Sequence, residues 1–155
     1  MTSAAVDAFQ FKPVHVYLVE DNLDDIELMR RALKKGRLAH RLTVERDGEK
    51  ALDFLLGCAN DPTDADVPDL IFLDLNVPKI NGIELLQEIR KHAILDLVPV
   101  VTLTSSGRDT DIAKSYRSGA NTYIQKPVEF AKILHAVETL TEYWIVLARL
   151  PGEAA

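Results

Sequence analysis

The chain has 155 residues, 47% hydrophobic and 27% charged, with a formal net charge of −6, which leaves room for one compact domain and argues against a disordered or fibrous chain. Cys58 is the only cysteine, so an internal disulfide and a Cys-rich metal site are excluded. The N-terminus has no signal-peptide pattern, and no apolar run nears the ~20 residues of a membrane span; the expectation is a soluble, cytoplasmic protein.

Residues 1–12 carry no pattern and are expected to form a flexible arm, with a single domain over 13–150 and no output domain after it. Residues 14–20 form a strand-like apolar run, followed by Asn22, a good N-cap, and a helix to about Lys35 that Gly36 stops. The basic run Arg30, Arg31, Lys34 and Lys35 fits the solvated face and C-terminal end of that helix. It is not the basic stripe of a nucleic-acid binder, so no nucleic-acid partner and no membrane partner is expected. Residues 42–44 are the second strand, and Ala51, Leu52, Leu55 and Leu56 mark one face of a short helix. Residues 57–68, rich in Asp, Asn and Pro, are expected to be a surface loop. Strands at 70–74, 98–104 and 122–126 then alternate with helices at about 82–91, 112–117 and 128–147. Apolar strands separated by five helices imply an α/β fold with a parallel sheet covered on both faces.

In such sheets ligands sit beyond the C-terminal strand ends. The residues there are Glu20 and Asp21, Asp74, Thr104 and Lys126. Three carboxylates brought close repel one another by several kcal/mol, on the order expected at an intermediate dielectric. A hard divalent cation such as Mg²⁺ relieves that repulsion, with backbone groups near Asn76 completing its shell, and Lys126 balances the remaining charge. Asp74 is then a nucleophile for phosphoryl transfer, with Lys126 and the Thr104 hydroxyl steadying the transferred oxygens. Each residue alone has an ordinary reading: helix-start acids, a capping aspartate, a strand threonine, a strand-to-helix junction at Lys126-Pro127. Their joint placement at successive strand ends decides for a site.

These residues resemble response-regulator receiver domains of two-component signalling. The resemblance rests on Val19-Glu-Asp21, Asp74-Leu-Asn-Val-Pro78 with Gly82, Leu103-Thr-Ser105 and Tyr123-Ile-Gln-Lys-Pro127, with Thr104 and Lys126 lying 30 and 52 residues after Asp74. It implies a flavodoxin-like doubly wound sheet of five parallel strands in the order 2-1-3-4-5, with a long C-terminal helix. It also implies that a sensor histidine kinase phosphorylates Asp74. Mg²⁺ would be held by Glu20, Asp21, Asp74 and the Asn76 carbonyl, and the phosphoryl group by Thr104 and Lys126. Thr104 and Tyr123 would form the conformational switch, and the Lys126-Pro127 bond is expected to be cis. Such a protein is no turnover enzyme, but catalyses its own phosphorylation and slow dephosphorylation.

A narrower likeness is to the single-domain regulators of bacterial and cyanobacterial phytochromes. It rests on Asp24-Asp25, Asp47-Gly-Glu-Lys-Ala-Leu52, the 57–68 insertion and the Trp144-containing last helix, and it implies a phytochrome as the kinase. A non-phytochrome kinase or a role as a phosphorelay intermediate is the alternative. Ile133, Val137, Leu140, Trp144 and Leu147 recur at packing-seam spacing on a helix long enough to overhang the sheet. Tyr143, Trp144, Ile145 and Leu147 are therefore expected at a homodimer contact. An ATP-hydrolysing fold is rejected because no Gly-rich phosphate loop follows the first strand. An aspartyl-phosphate phosphatase is rejected because its nucleophile belongs on the first strand.

Overall fold

The computed structural model describes residues 13–36, 39–61, 66–105, 108–126 and 129–142. The expected arm at 1–12, Pro127 with its peptide bond, and the residues expected at a dimer contact, Tyr143, Trp144, Ile145 and Leu147, lie outside them.

Five strands form one parallel sheet: β1 (Val14–Val19), β2 (His40–Glu45), β3 (Leu70–Asp74), β4 (Val100–Thr104) and β5 (Thr122–Gln125), in the order β2-β1-β3-β4-β5. Among the described residues, six helices connect and follow them: α1 (Leu23–Lys35), α2 (Gly48–Asn60), α3 (Gly82–Ile89), α4 (Ala93–Asp96), α5 (Asp109–Arg117) and α6 (Phe130–Glu142). The expected sheet and strand order are present. The expected five helices become six, because α4 is one short turn that buries only Leu95 and gives no periodicity to read.

Alternation along the strands feeds two cores. Val14, Val16, Leu18, Leu70, Phe72, Val101 and Leu103 pack under α1 and α6, through Ile26, Met29, Leu33, Ile133 and Val137. Tyr17, Val19, Ile71, Leu73 and Val100 pack on the opposite face against α2, α3 and α4, through Ala51, Leu55, Cys58, Leu85, Leu86 and Leu95. The central strands β1, β3 and β4 are buried on both faces, so they read as continuous apolar runs. The edge strand β2 is only partly buried, and its strand extends to both sides of the expected 42–44.

Among the differences from the expected elements, one boundary and the role of one glycine have identifiable reasons. The helix α2 continues to Asn60, into the stretch expected to be loop, because Cys58 follows Ala51 and Leu55 at helical spacing and is fully buried with them. Gly36 ends α1 with φ of −74°, so its role is not a left-handed turn. A Cβ there would lie 2.6 Å from Val137 Cγ1, and glycine instead permits the close approach of α1 and α6.

Arg90, just past α3, ties the α4 region to the loop before β5. Its Nε donates to the Gly119 carbonyl (2.9 Å), Nη1 to the carbonyls of Asp96 (3.0 Å) and Val98 (2.8 Å), and Nη2 to Asn121 Oδ1 (2.9 Å). The backbone carbonyls among these belong to turns and a short helix end, which leave such groups in need of partners. Arg90→Met keeps the aliphatic stem and removes every donor, so it is expected to destabilise the fold by about 2–4 kcal/mol. Urea unfolding of the two proteins side by side measures this.

Candidate functional site

The strand register brings the predicted residues to one edge. Val19 lies level with Leu73, Asp74 with Leu103, and Thr104 with Gln125, so Glu20, Asp74, Thr104 and Lys126 all emerge where parallel strands end. Side-chain alternation then divides them. Glu20, Asp74 and Lys126 continue the rows of Leu18, Phe72 and Ile124 on the α1/α6 face, whereas Thr104 and Tyr123 belong to the opposite face. The mouth therefore has an acid-and-lysine half and a hydroxyl-and-aromatic half.

In the first half, Glu20, Asp21 and Asp74 each offer a carboxylate oxygen within 4.8 Å of the others. Glu20 is wholly buried and Asp74 nearly so, at 0% and 4% exposure. Lys126 reaches across this group: its Nζ donates to Glu20 Oε1, to Asp25 Oδ2 (2.8 Å) and to Asp74 Oδ2 (3.3 Å). The other Glu20 oxygen accepts from the backbone N–H of Asp21 (3.1 Å). Burial first, then the neighbouring Asp74, pushes the Glu20 carboxyl up to about 8 against the opposing pull of Lys126. Burial alone would pull the Lys126 ammonium down, but the carboxylates of Asp25 and Glu20 overcome it and hold Lys126 above its ordinary value.

Asp74 is held from the side as well. The Asn76 N–H donates to Asp74 Oδ1 (3.1 Å), and the Asn76 side-chain amide donates to Thr104 Oγ1 over a long 3.4 Å. The turn after Asp74 closes on the start of α3 through the Gly82 N–H and the Leu75 carbonyl (3.0 Å). A Cβ on Gly82 would stand 2.5 Å from Leu75 Cα and 2.8 Å from the Asp74 carbonyl, so only glycine lets this turn sit where it holds Asp74. In the second half, Thr104 is buried, and its hydroxyl pairs with that of the half-buried Tyr123. Burial raises the Tyr123 phenol and that bond opposes the rise.

Access is unequal. Around Lys126 and Asp25 the space is only about 20 Å³, whereas a cleft of about 670 Å³ opens beside Asn76, Thr104, Ser105 and Arg108. Among the described residues, the larger opening lies on the Thr104 side. Hard oxygen donors, close-set like charges and a raised carboxyl are the properties of a divalent-cation site, and the residues present fit one.

Residues 16–138 match the family described as response regulator receiver domain. The chain belongs to this receiver family. Among receivers, it is 36% identical to the probable methanogenesis regulatory protein FilR2 of Methanothrix harundinacea, over 92% of this chain and 90% of that one. It is 34% identical to response regulator Rcp1 of Synechocystis, over 90% of this chain and 95% of that one. The crystal structure of Mn²⁺-bound Rcp1 aligns with a TM-score of 0.75, covering 90% of this chain and all (100%) of that one. The structure of the phosphorylated cyanobacterial phytochrome response regulator RcpA aligns with a TM-score of 0.76 at 36% identity, over 91% of this chain and 100% of that one. The expected likeness to phytochrome response regulators is thus present in both sequence and structure.

The structure brings Glu20, Asp21, Asp74 and Lys126 together, sets Asn76, Thr104 and Tyr123 beside them, and adds two residues. Asp25, noted in the sequence only as part of the Asp24-Asp25 pair, contacts Lys126 more closely than Asp74 does. Arg46 donates from Nη2 to the Asp21 carbonyl (2.9 Å), bracing the turn that carries the acidic pair. Neither carries a residue-type signal, since an acid in a helix's first turn and an arginine after a strand are ordinary. Among the described residues, no helix is long and apolar enough to cross a membrane.

Proposed function

We propose that this chain is a response-regulator receiver that accepts a phosphoryl group on Asp74 from a sensor histidine kinase, using Mg²⁺ held by Glu20, Asp21, Asp74 and the Asn76 carbonyl. The observation that carries this is the placing of the buried Asp74 carboxylate between two other acids and the Lys126 ammonium, beside an open cleft.

In the transfer, an Asp74 oxygen forms a bond to phosphorus as the bond from phosphorus to the kinase histidine nitrogen breaks, and that bond's electron pair returns to the imidazole. Lys126, within reach of Asp74, donates an N–H to the incoming phosphoryl oxygens. Thr104, at the open side, donates its hydroxyl to another, and exchanging its Tyr123 bond for the phosphoryl group provides the switch that moves the Tyr123 ring. A cation held by these carboxylates would supply the positive charge that lets Asp74 take up a phosphoryl group among other acids. Hydrolysis of the same acyl phosphate ends the signal. Homodimerisation through Tyr143, Trp144, Ile145 and Leu147 remains part of the proposal on its sequence pattern alone.

Metal binding is expected to depend on pH through Glu20. Because its carboxyl is pushed up to about 8, the metal-free protein holds a proton there at neutral pH that a cation must displace. Apparent Mg²⁺ affinity should rise with pH from 6 to about 8, by up to about tenfold per unit, and level off above that. Glu20→Gln should flatten the dependence. In the metal-free protein the sign is the reverse. A carboxyl raised from its unfolded value favours folding fully below about 4.5, and that contribution is lost as pH rises through 8.

The likeness to RcpA supports a phytochrome as the kinase. The equal identity to FilR2 favours keeping a different histidine kinase, or a phosphorelay, as the second reading. Phosphotransfer from each of the organism's autophosphorylated histidine kinases, with the label mapped by peptide, tests both. Base-labile label on Asp74 supports the proposal, and a light-dependent donor supports the phytochrome pairing. Label confined to any other residue overturns the assignment of Asp74.

A further inference from the structure

Asp25 stands outside the set of acids that would hold a cation, yet it is the residue Lys126 holds at 2.8 Å. Its position is fixed from the sequence upward. Asn22 caps α1, its Oδ1 accepting the Asp25 N–H at 3.0 Å. That cap sets Asp25 in the first helical turn, on the α1 face that packs over the sheet edge where Lys126 emerges. Both other partners of Lys126, Glu20 and Asp74, belong to the candidate metal group. A cation draws on those two carboxylates, and Asp25 is then the partner left to the lysine.

Asp25 also alters the charge of the pocket. Glu20, Asp21 and Asp74 with one divalent cation and Lys126 come to neutrality, but Asp25 makes four carboxylates. The loaded pocket keeps one net negative charge. That surplus attracts the cation and repels a phosphoryl group, which arrives as an anion at Asp74, one shared ammonium away from Asp25.

Resting on the assignment of Asp74 as phosphoacceptor, we propose that Asp25 is a positioning residue that holds the Lys126 ammonium and, as the pocket's fourth carboxylate, strengthens divalent-cation binding while weakening phosphoryl binding. The two effects have opposite signs, and a purely structural residue would not produce that pair.

The test uses the full chain and three variants: Asp25→Asn, Asp25→Glu and Asp74→Asn. Mg²⁺ affinity is measured by calorimetry on the unphosphorylated protein, and affinity for fluoroberyllate, a phosphoryl mimic, is measured at saturating Mg²⁺. Asp25→Asn is expected to bind Mg²⁺ about fivefold more weakly and fluoroberyllate about fivefold more tightly, as removing one charge at this range implies. Asp25→Glu, which restores the charge, should return both values toward wild type. Unchanged affinities in Asp25→Asn, or two affinities that fall together as general damage would make them, overturn the proposal. Asp74→Asn separates the two levels of inference. Fluoroberyllate binding that survives in Asp74→Asn refutes the phosphoacceptor assignment, whereas wild-type behaviour of Asp25→Asn with binding lost in Asp74→Asn refutes only the role of Asp25.

Discussion

Asp74→Asn is expected to abolish labelling by a small phosphodonor in the presence of Mg²⁺, while the protein stays folded. The amide matches the carboxylate in size, and its oxygen can still accept the Asn76 N–H that now meets Asp74 Oδ1. The turn closed by Gly82 is made by backbone groups and does not depend on the side chain. What the amide cannot do is form an acyl phosphate, because its oxygen is a poor nucleophile and its nitrogen carries no available lone pair. Removing one of three clustered carboxylates should also weaken Mg²⁺ binding by about tenfold, an electrostatic loss of ~1.4 kcal/mol. The readouts are phosphate incorporation by mass and a thermal melt. Undiminished incorporation in a folded variant would place the acceptor elsewhere and undo the proposed mechanism. Loss of labelling together with loss of the folded signal would require a second substitution, Asp74→Glu, which keeps the charge and moves the nucleophile by one methylene.

The site was readable from sequence because a parallel sheet aligns its strand ends. Each apolar run stops at a chemically distinctive residue, and the fold places those stops side by side. Glu20, Asp74, Thr104 and Lys126 needed only that rule. The division of the mouth into two halves was also latent, since Lys126 is two residues from Ile124, and Thr104 two from the Thr102 that bonds Ser115 of α5. Which face carries α1 was not readable, and without it the halves cannot be told apart. Asp25 was lost for a different reason. An acid in the first turn of a helix is explained by the helix dipole alone, and its partner lies 101 residues away. Arg90 is the same case, since all its acceptors but the Asn121 side chain are backbone carbonyls, which carry no residue-type signal. The extension of α2 through Cys58 was masked by a glycine and by polar neighbours, although the burial spacing was present.

Lys126→Met should slow phosphotransfer to Asp74 by about 10²–10³, the usual cost of removing one donor aimed at developing charge. Among the described residues, Lys126 makes the ion pair to Asp74, and it pairs at the same time with Glu20 and Asp25. Methionine preserves the stem's volume and removes the charge. The metal-free variant then keeps a group of acids with no ammonium among them, and about 3 kcal/mol of stability should be lost. That deficit has a defined pH course. Without the ammonium the folded-state Glu20 carboxyl rises further, so the variant folds well at low pH and loses stability as pH climbs through neutrality. Saturating Mg²⁺ should recover most of the loss and should bind several-fold more tightly than to wild type, because a like charge has left the pocket. Slow transfer combined with restored stability in Mg²⁺ distinguishes a lysine that acts on the phosphoryl group from one that only neutralises acids. If transfer kept its wild-type rate in the Mg²⁺-stabilised variant, Lys126 would be a counter-ion alone. The transition-state charge at Asp74 would then rest on the cation and on the Thr104 side of the mouth.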